Sequence, residues 1–271
     1  MTERTQPGQA NFAWLENKWL VLPLSLAVAL GLWWGVTWLW DFPAFILPTP
    51  DLVGARFVQT LADGSLARNA AYTLLEVILG LGLGVGAAAV LGYLIAKSRL
   101  LERALSPYVV ASQSVPIVAI APLLVIWFWP GLFSKILISA LIVFFPVLVN
   151  TIVGVRSTPE ELRDLMRSLK ATRWQTFRLL EAPAALPVFL GGLRIGATLS
   201  VIGAVVGEFV GADVGLGFMI NRARGQYDTA LVFVAVITLV VMALGLYGAV
   251  LWVEKKTLKW QERPDDPVLS L

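Results

Sequence analysis

Six stretches of the chain are apolar for long enough to cross a bilayer, which takes about 20 residues in a helix. They are residues 19–40, 77–96, 104–134, 136–155, 187–211 and 229–253. Only the fifth is interrupted by charge, at Arg194 and Glu208. The first is too long for the apolar core of a cleaved leader and is followed by no small-residue cleavage site, so it is expected to stay as an anchor. Residues 41–71 contain LPTPDLV and are polar enough for a short surface segment. The first 12 residues and the tail after Trp260 are expected to be disordered.

Between the fourth and fifth spans the pattern changes period. Residues 158–180 read TPEELRDLMRSLKATRWQTFRLL. Thr158 with Glu161 has capping-box spacing, and Pro159 suits the first helical position. Leu162, Leu165, Met166 and Leu169 then recur at i, i+3, i+4, i+7 and make one apolar stripe. After a break near residues 170–172, Trp174, Phe177, Leu179 and Leu180 continue an apolar face. The pattern predicts helix, turn and second helix outside the bilayer.

Composition agrees. Of 271 residues, 58% are hydrophobic and 14% charged, against about 25% charged in soluble domains. Mean hydropathy is +0.77. The fold class expected is all-α and polytopic, with about six membrane helices. The chain has no Cys and no His, which excludes disulfides, thiol nucleophiles, a Ser-His-Asp triad and the commonest zinc sites. No stretch fits a P-loop. If ATP powers this protein, another chain binds it.

Charge placement then orients the spans. With both termini inside, residues 1–18, 97–103, 156–186 and 254–271 hold 15 Lys and Arg, and the outside segments hold five. The positive-inside rule puts the termini, as residues 1–18 and 254–271, in the cytoplasm, with residues 19–253 as the membrane domain between them. The loop 156–186 is then cytoplasmic. Six of the 21 basic residues fall between Arg156 and Arg178. Two readings fit that loop: a helix resting on anionic lipid, or a docking surface for a partner chain.

A charge near mid-bilayer costs about 2.5–3.5 kcal/mol and should face protein or water. Arg194 and Glu208 are separated by about 21 Å along a helix and cannot pair within it. Arg194 either snorkels to the cytoplasmic surface or faces a pathway. Glu208 is either a gate or docking residue or an interfacial charge, and Glu76 is similar. Glycines repeat at four-residue spacing in the second and fifth spans. The stripe Gly203–Gly207–Gly211 is the better candidate for a dimer axis. Gln113 and Ser114 beside Pro116, and Asn150 in the fourth span, place side-chain polarity where a pathway would need it.

The cytoplasmic loop resembles the signature of ATP-binding-cassette importer permeases: Glu-Ala-Ala, a Gly after three residues, and Ile-x-Leu-Pro after nine more. Asp164, Leu165 and Met166 stand at the first three positions, Lys170 at the Gly, Leu180 at the Ile, Ala182 at the Leu and Pro183 at the Pro. Spacing is kept throughout; Lys170 is the real departure, because Gly there lets the chain turn. LPTPDLV, SQSVPIVAIAPLLVIWFW and GEFVGADVGLGFMI extend the resemblance over residues 40–255. They look like the nitrate, sulfonate, taurine and pyrimidine permeases, with DLMRSLKAT and VVGEFVGADVGLG similar to permeases for riboflavin and hydroxymethylpyrimidine-type precursors.

The resemblance implies a multi-pass cell-membrane permease and no enzymatic activity. It implies a coupling helix at residues 160–172, seated in a groove of a separate ATPase that binds the ATP. The apolar stripe of Leu162, Leu165, Met166 and Leu169 would be buried there, with Arg163 and Arg167 at the rim and Ala171 among the coupling residues. It implies an external solute-binding protein and a second permease copy, with no nucleic acid and no cofactor on this chain. Two other classes make different demands on the sequence. A stand-alone secondary carrier should show internal repeats and mid-membrane acids, and a membrane enzyme should show a polar catalytic cluster.

Overall fold

The computed structural model describes residues 18–260, and all the regular structure among them is helical. In order these are α1 (Lys18–Trp40), α2 (Pro50–Ala62), α3 (Ser65–Lys97), α4 (Arg99–Gln113), α5 (Ile117–Phe128), α6 (Leu132–Arg156), α7 (Glu160–Ser168), α8 (Arg173–Thr176), α9 (Ala182–Gly211), α10 (Leu216–Gly225) and α11 (Thr229–Thr257). A π-helical turn, Phe177–Glu181, joins α8 to α9. Five rods are long and apolar enough to span a membrane: α1, α3, α6, α11 and the run Arg173–Gly211. The N-terminal and C-terminal segments expected to be disordered lie outside the described residues.

The third expected span is not one helix. It divides into α4 and α5, which meet at 99°. Pro116 explains the break. It has no N–H to continue the ladder of α4, and it disfavours helical geometry at Val115. Counted as one bent span, the pair brings the total to six. Residues 41–71 hold α2 and the first turns of α3.

The core of the bundle is α3, α6 and α9, which pack side by side. Lipid tails are as apolar as leucine, so close packing must hold such helices together. Glycine supplies it. A Cβ at Gly203 would come within 2.5 Å of Ser139 Cα, one at Gly207 3.1 Å from Lys135 Cα, and one at Gly84 2.6 Å from the Ala140 carbonyl. The stripe in the fifth span, expected to mark a dimer axis, is therefore spent within the chain, Gly203 and Gly207 on α6 and Gly211 against Val125 of α5. Val143, Val147 and Leu148 fill the space beside these approaches and are fully buried. α1 joins the periphery, where Trp33 stacks on Phe233 at 5.1 Å and its indole N–H donates to the Pro48 carbonyl at 3.1 Å.

Lys97, Arg99, Glu102, Arg156 and α7 gather at one end of the bundle, where Arg156 meets Glu102 at 2.6 Å. This is the basic end. The opposite end carries α2, α10 and the start of α11, where Arg56 meets Asp228 at 2.6 Å. Asp228 also caps α11 by accepting from the Leu231 amide at 3.0 Å.

Candidate functional site

α7 stands clear of the bundle at the basic end. Leu162 is 43% exposed, Leu165 53% and Leu169 67%, and Met166 is half-buried. No residue of α7 is fully buried. An apolar stripe this open on a 9-residue helix cannot be stabilised by its own chain alone. Acidic Glu160 and Glu161 open the helix and Arg167 closes it, as the helix dipole favours.

The capping box expected at Thr158 and Glu161 does not form. Thr158 is buried and its hydroxyl donates back to the Val155 carbonyl at 3.1 Å. The capping box is built 14 residues later. The Thr172 hydroxyl accepts from the Gln175 amide at 3.2 Å, and the Gln175 side chain accepts from the Thr172 amide at 2.8 Å. Thr172 has the extended backbone a cap needs, at φ −67° and ψ 161°. Thr158 instead closes the last turn of α6.

Lys170 adopts the left-handed conformation, φ +52°. The Ala171 amide donates to the Met166 carbonyl at 3.0 Å and the Lys170 amide to the Arg167 carbonyl at 2.9 Å. These two bonds are a Schellman motif, whose pivotal residue is usually glycine. The turn keeps the geometry that glycine would give and carries the strain on lysine.

The two arginines of α7 differ. Arg167 pairs with Asp164 at 2.8 Å on the open surface. Arg163 turns back and donates to the Val155 carbonyl at 2.7 Å. It therefore satisfies one of the unpaired carbonyls at the end of α6 and braces the loop against the bundle.

The loop is also continuous with α9. Pro183 lacks the N–H that an α-ladder requires, and the Ala182 amide reaches back five residues to the Phe177 carbonyl. The resulting π turn buries Glu181, which accepts from Lys97 Nζ at 2.6 Å and the Tyr93 hydroxyl at 2.9 Å. Leu180 and Pro183 are half-buried around it. Beside it opens an apolar cleft of about 670 Å³, with Tyr93, Trp174, Phe177 and Phe189 among its walls.

Of the two charges expected inside the fifth span, Arg194 pairs with Glu254 of α11 at 3.2 Å. Glu208 is 1% exposed at the opposite end. It accepts from the Thr73 hydroxyl at 2.6 Å and from the Gly217 amide. Thr73 in turn accepts from the Leu216 amide at 2.8 Å, and Asn69 from the Gly215 amide at 2.8 Å. The amides of Gly215, Leu216 and Gly217, which open α10 and which no helix satisfies internally, are thus met by side chains of α3 and α9. Gly215 has φ +123°, and a Cβ there would overlap the Glu208 carboxyl. Next to Glu208, Glu76 accepts from Lys135 Nζ at 3.0 Å, with both side chains buried. Lys135, assigned by charge counting to an outside loop, lies within α6.

Sequence reasoning missed Lys135, Glu181, Tyr93, Lys97 and Glu254 as partners. The signal available for Glu181 was its place inside the Leu180–Pro183 motif. For Lys135 it was its isolation between two long uncharged runs.

Gln113 and Asn150, expected on a pathway, come together on a cavity of about 400 Å³ between the α4–α5 bend and α6. Ser112, Val115, Ile117, Ile142, Phe145, Pro146 and Val149 complete its lining. Ser114 is exposed at the bend and outside that lining. Arg194 and Glu208 are also away from it.

Residues 80–259 match the family model described as the binding-protein-dependent transport system inner membrane component. The chain is 45% identical to a riboflavin transport system permease protein of Chloroflexus aurantiacus over 258 residues, covering 95% of this chain and 96% of the other. It is 35% identical to a formylaminopyrimidine transport permease protein of Halalkalibacterium halodurans over 219 residues, covering 81% and 87%. Its fold matches a chain from inward-facing conformations of the MetNI methionine ABC transporter with a TM-score of 0.65 and 21% identity, covering 71% of this chain and 96% of that one.

Proposed function

The chain belongs to the binding-protein-dependent transport system inner membrane component family, and on that premise we propose how its parts divide the work of an importer. It is the membrane-spanning permease subunit of an ATP-binding-cassette transporter. It is not an enzyme, because in this family ATP hydrolysis belongs to a separate subunit.

The basic end faces the cytoplasm, as the 15-to-5 distribution of Lys and Arg favours. Residues 1–18 and 254–271 are then cytoplasmic tails. α7 is the coupling helix, and the uncovered stripe Leu162–Leu165–Leu169 carries this assignment. It seats in a groove of the ATPase, with Met166 and Ala171 behind it and Arg167 with Asp164 at the rim. Arg163, braced on α6, makes the loop a lever. Leu180 and Pro183 pass its movement into α9 through the π turn. ATP-driven closure of two ATPases would then reorient two permease copies, each served by an external solute-binding protein. ATP stays on the partner.

The substrate is riboflavin or a related vitamin precursor. The observation behind that choice is 45% identity with a riboflavin permease over 95% of this chain. Changing Leu165 and Met166 to Asp puts two charges into the seat. The variant is expected to insert normally, to lose the co-purifying ATPase and to abolish uptake of labelled riboflavin. Uptake that survives both changes would overturn the coupling assignment.

A further inference from the structure

The α4–α5 bend opens a largely apolar cavity beside α6 with three polar side chains on its wall, and that chemistry selects among solutes. Its polar side chains are Ser112, Gln113 and Asn150, and its aromatic one is Phe145. None of its lining residues carries a charge. We infer that this cavity is a binding site in the permease for a neutral, flat nitrogen heterocycle, with Gln113 and Asn150 reading ring N–H and C=O groups and Phe145 stacking on the ring face. The inference rests on the importer reading above and adds to it a place and a chemical class.

Four observations carry it. The volume of about 400 Å³ falls within the range of small-molecule sites, about 300–1,000 Å³. Gln113 is exposed at the rim of the cavity and makes no hydrogen bond to another described residue, so its carboxamide is available to a solute. Asn150 spends one N–H on the Pro146 carbonyl at 2.8 Å. That bond fixes the side chain and leaves its oxygen and second N–H to pair with a lactam or aminopyrimidine edge. Its place is set from the other side too, since a Cβ at Gly192 would come within 2.6 Å of Asn150 Cβ. Phe145 is held edge-to-face by Phe144, with centroids 5.1 Å apart and planes at 82°, which presents a rigid aromatic surface.

The missing charge matters as much as the amides. An anionic solute such as a sulfonate would enter this cavity without a cation to meet it, at a desolvation cost that neutral amides offset poorly. Two relatives are named for solutes that contain a pyrimidine ring, alone or fused. That ring offers alternating donors and acceptors on one edge and a π face above and below, which is what two amides and one phenyl ring can bind.

The test uses cells dependent on external riboflavin that express the permease with its ATPase and binding protein, and the same complex reconstituted in nanodiscs. Labelled riboflavin, a labelled aminopyrimidine and labelled taurine are offered in parallel. The expected result is heterocycle uptake by the wild type, with KM raised at least tenfold in Gln113→Leu and in Asn150→Leu. ATPase stimulation by the loaded binding protein should change less than twofold in both. Gln113→Leu is the cleaner variant, because that side chain is exposed and bonded to nothing in the fold. Wild-type uptake of a heterocycle with unchanged KM in both variants would overturn the site and leave the importer reading standing. A matched fall in uptake and ATPase activity would reduce both residues to structural roles and overturn it as well. Uptake of taurine with no heterocycle would remove the substrate reading and the inference together.

Discussion

α9 is fastened to α3 at both ends by a buried carboxylate, and the two fastenings are built differently. At the basic end Glu181 has one cation and one phenol for company, and the side chain of Lys97 is 43% exposed. At the opposite end Glu208 and Glu76 share Lys135, whose side chain is 6% exposed, and backbone amides of α10 complete the shell. The first is half open, lies beside a cleft of about 670 Å³ and adjoins the π turn that leads to α7. The second is sealed among helices in glycine contact. On the proposed importer reading, a lever needs a joint where it is pushed and an anchor where it must not slip. The basic end has the construction of the joint and the opposite end that of the anchor.

The sharpest way to break this contrast is to remove the cation at each end. Lys135→Met leaves Glu76 and Glu208 buried with no positive partner, and breaking a buried pair in this way costs about 3–5 kcal/mol. Lys97→Met leaves the buried Glu181 with the Tyr93 hydroxyl, and because the lost cation is itself 43% exposed and already largely solvated, its cost should be smaller than that of the fully buried Lys135 pair. Thermal unfolding of the detergent-solubilised protein should show a large loss for the first and a small one for the second. Adding Glu76→Gln to Lys135→Met should recover most of the loss, because it removes one uncompensated charge. Equal losses at the two ends would end the distinction between anchor and joint.

A gentler pair removes one hydroxyl from each end. Thr73→Val keeps its shape but deprives Glu208 of a donor and the Leu216 amide of its acceptor. A buried amide left unpaired costs about 1–3 kcal/mol. Tyr93→Phe at the other end leaves Glu181 its bond to Lys97, and a single hydrogen bond contributes about 0.5–1.5 kcal/mol. Stability should therefore fall further for Thr73→Val. Transport should respond in the reverse order, since the Tyr93 hydroxyl is bonded to Glu181 within the π turn itself. Measuring uptake and unfolding on both variants separates the two effects.

The joint and the anchor were not equally legible in the sequence. Spans and the basic loop follow from period and charge, which are local properties. The apolar stripe of α7 was therefore readable before any fold was known. The broken third span was hidden, because an uncharged run of 31 residues from Ala104 to Ser134 looks the same whether straight or bent, and Pro116 alone does not give the angle. The anchor was hidden for another reason. Glu76, Lys135 and Glu208 come from three helices, and only tertiary packing brings them within bonding distance. Charge counting even worked against it, since a lysine near a span boundary looks like a loop residue until its helix is seen to begin at Leu132. The glycines carried a real signal of close approach but no address: the same spacing serves α6 within the chain or a second copy outside it.

The smallest expected effect lies in the turn that follows α7. Lys170 holds a left-handed conformation, φ +52°, which costs a residue with a side chain about 1–2 kcal/mol. Lys170→Gly removes that cost without touching either bond of the turn, the Ala171 amide to Met166 and the Lys170 amide to Arg167. α7 is attached to the bundle mainly through Arg163 and its ends, so its opening is local and the benefit should be local too. A gain of about 1 kcal/mol corresponds to roughly fivefold slower hydrogen exchange at residues 170 and 171, with global unfolding unchanged. Exchange that quickens in the glycine variant would mean that the lysine side chain makes a stabilising contact worth more than the strain. It would then be the lysine, and not the backbone geometry, that sets the turn between α7 and α8.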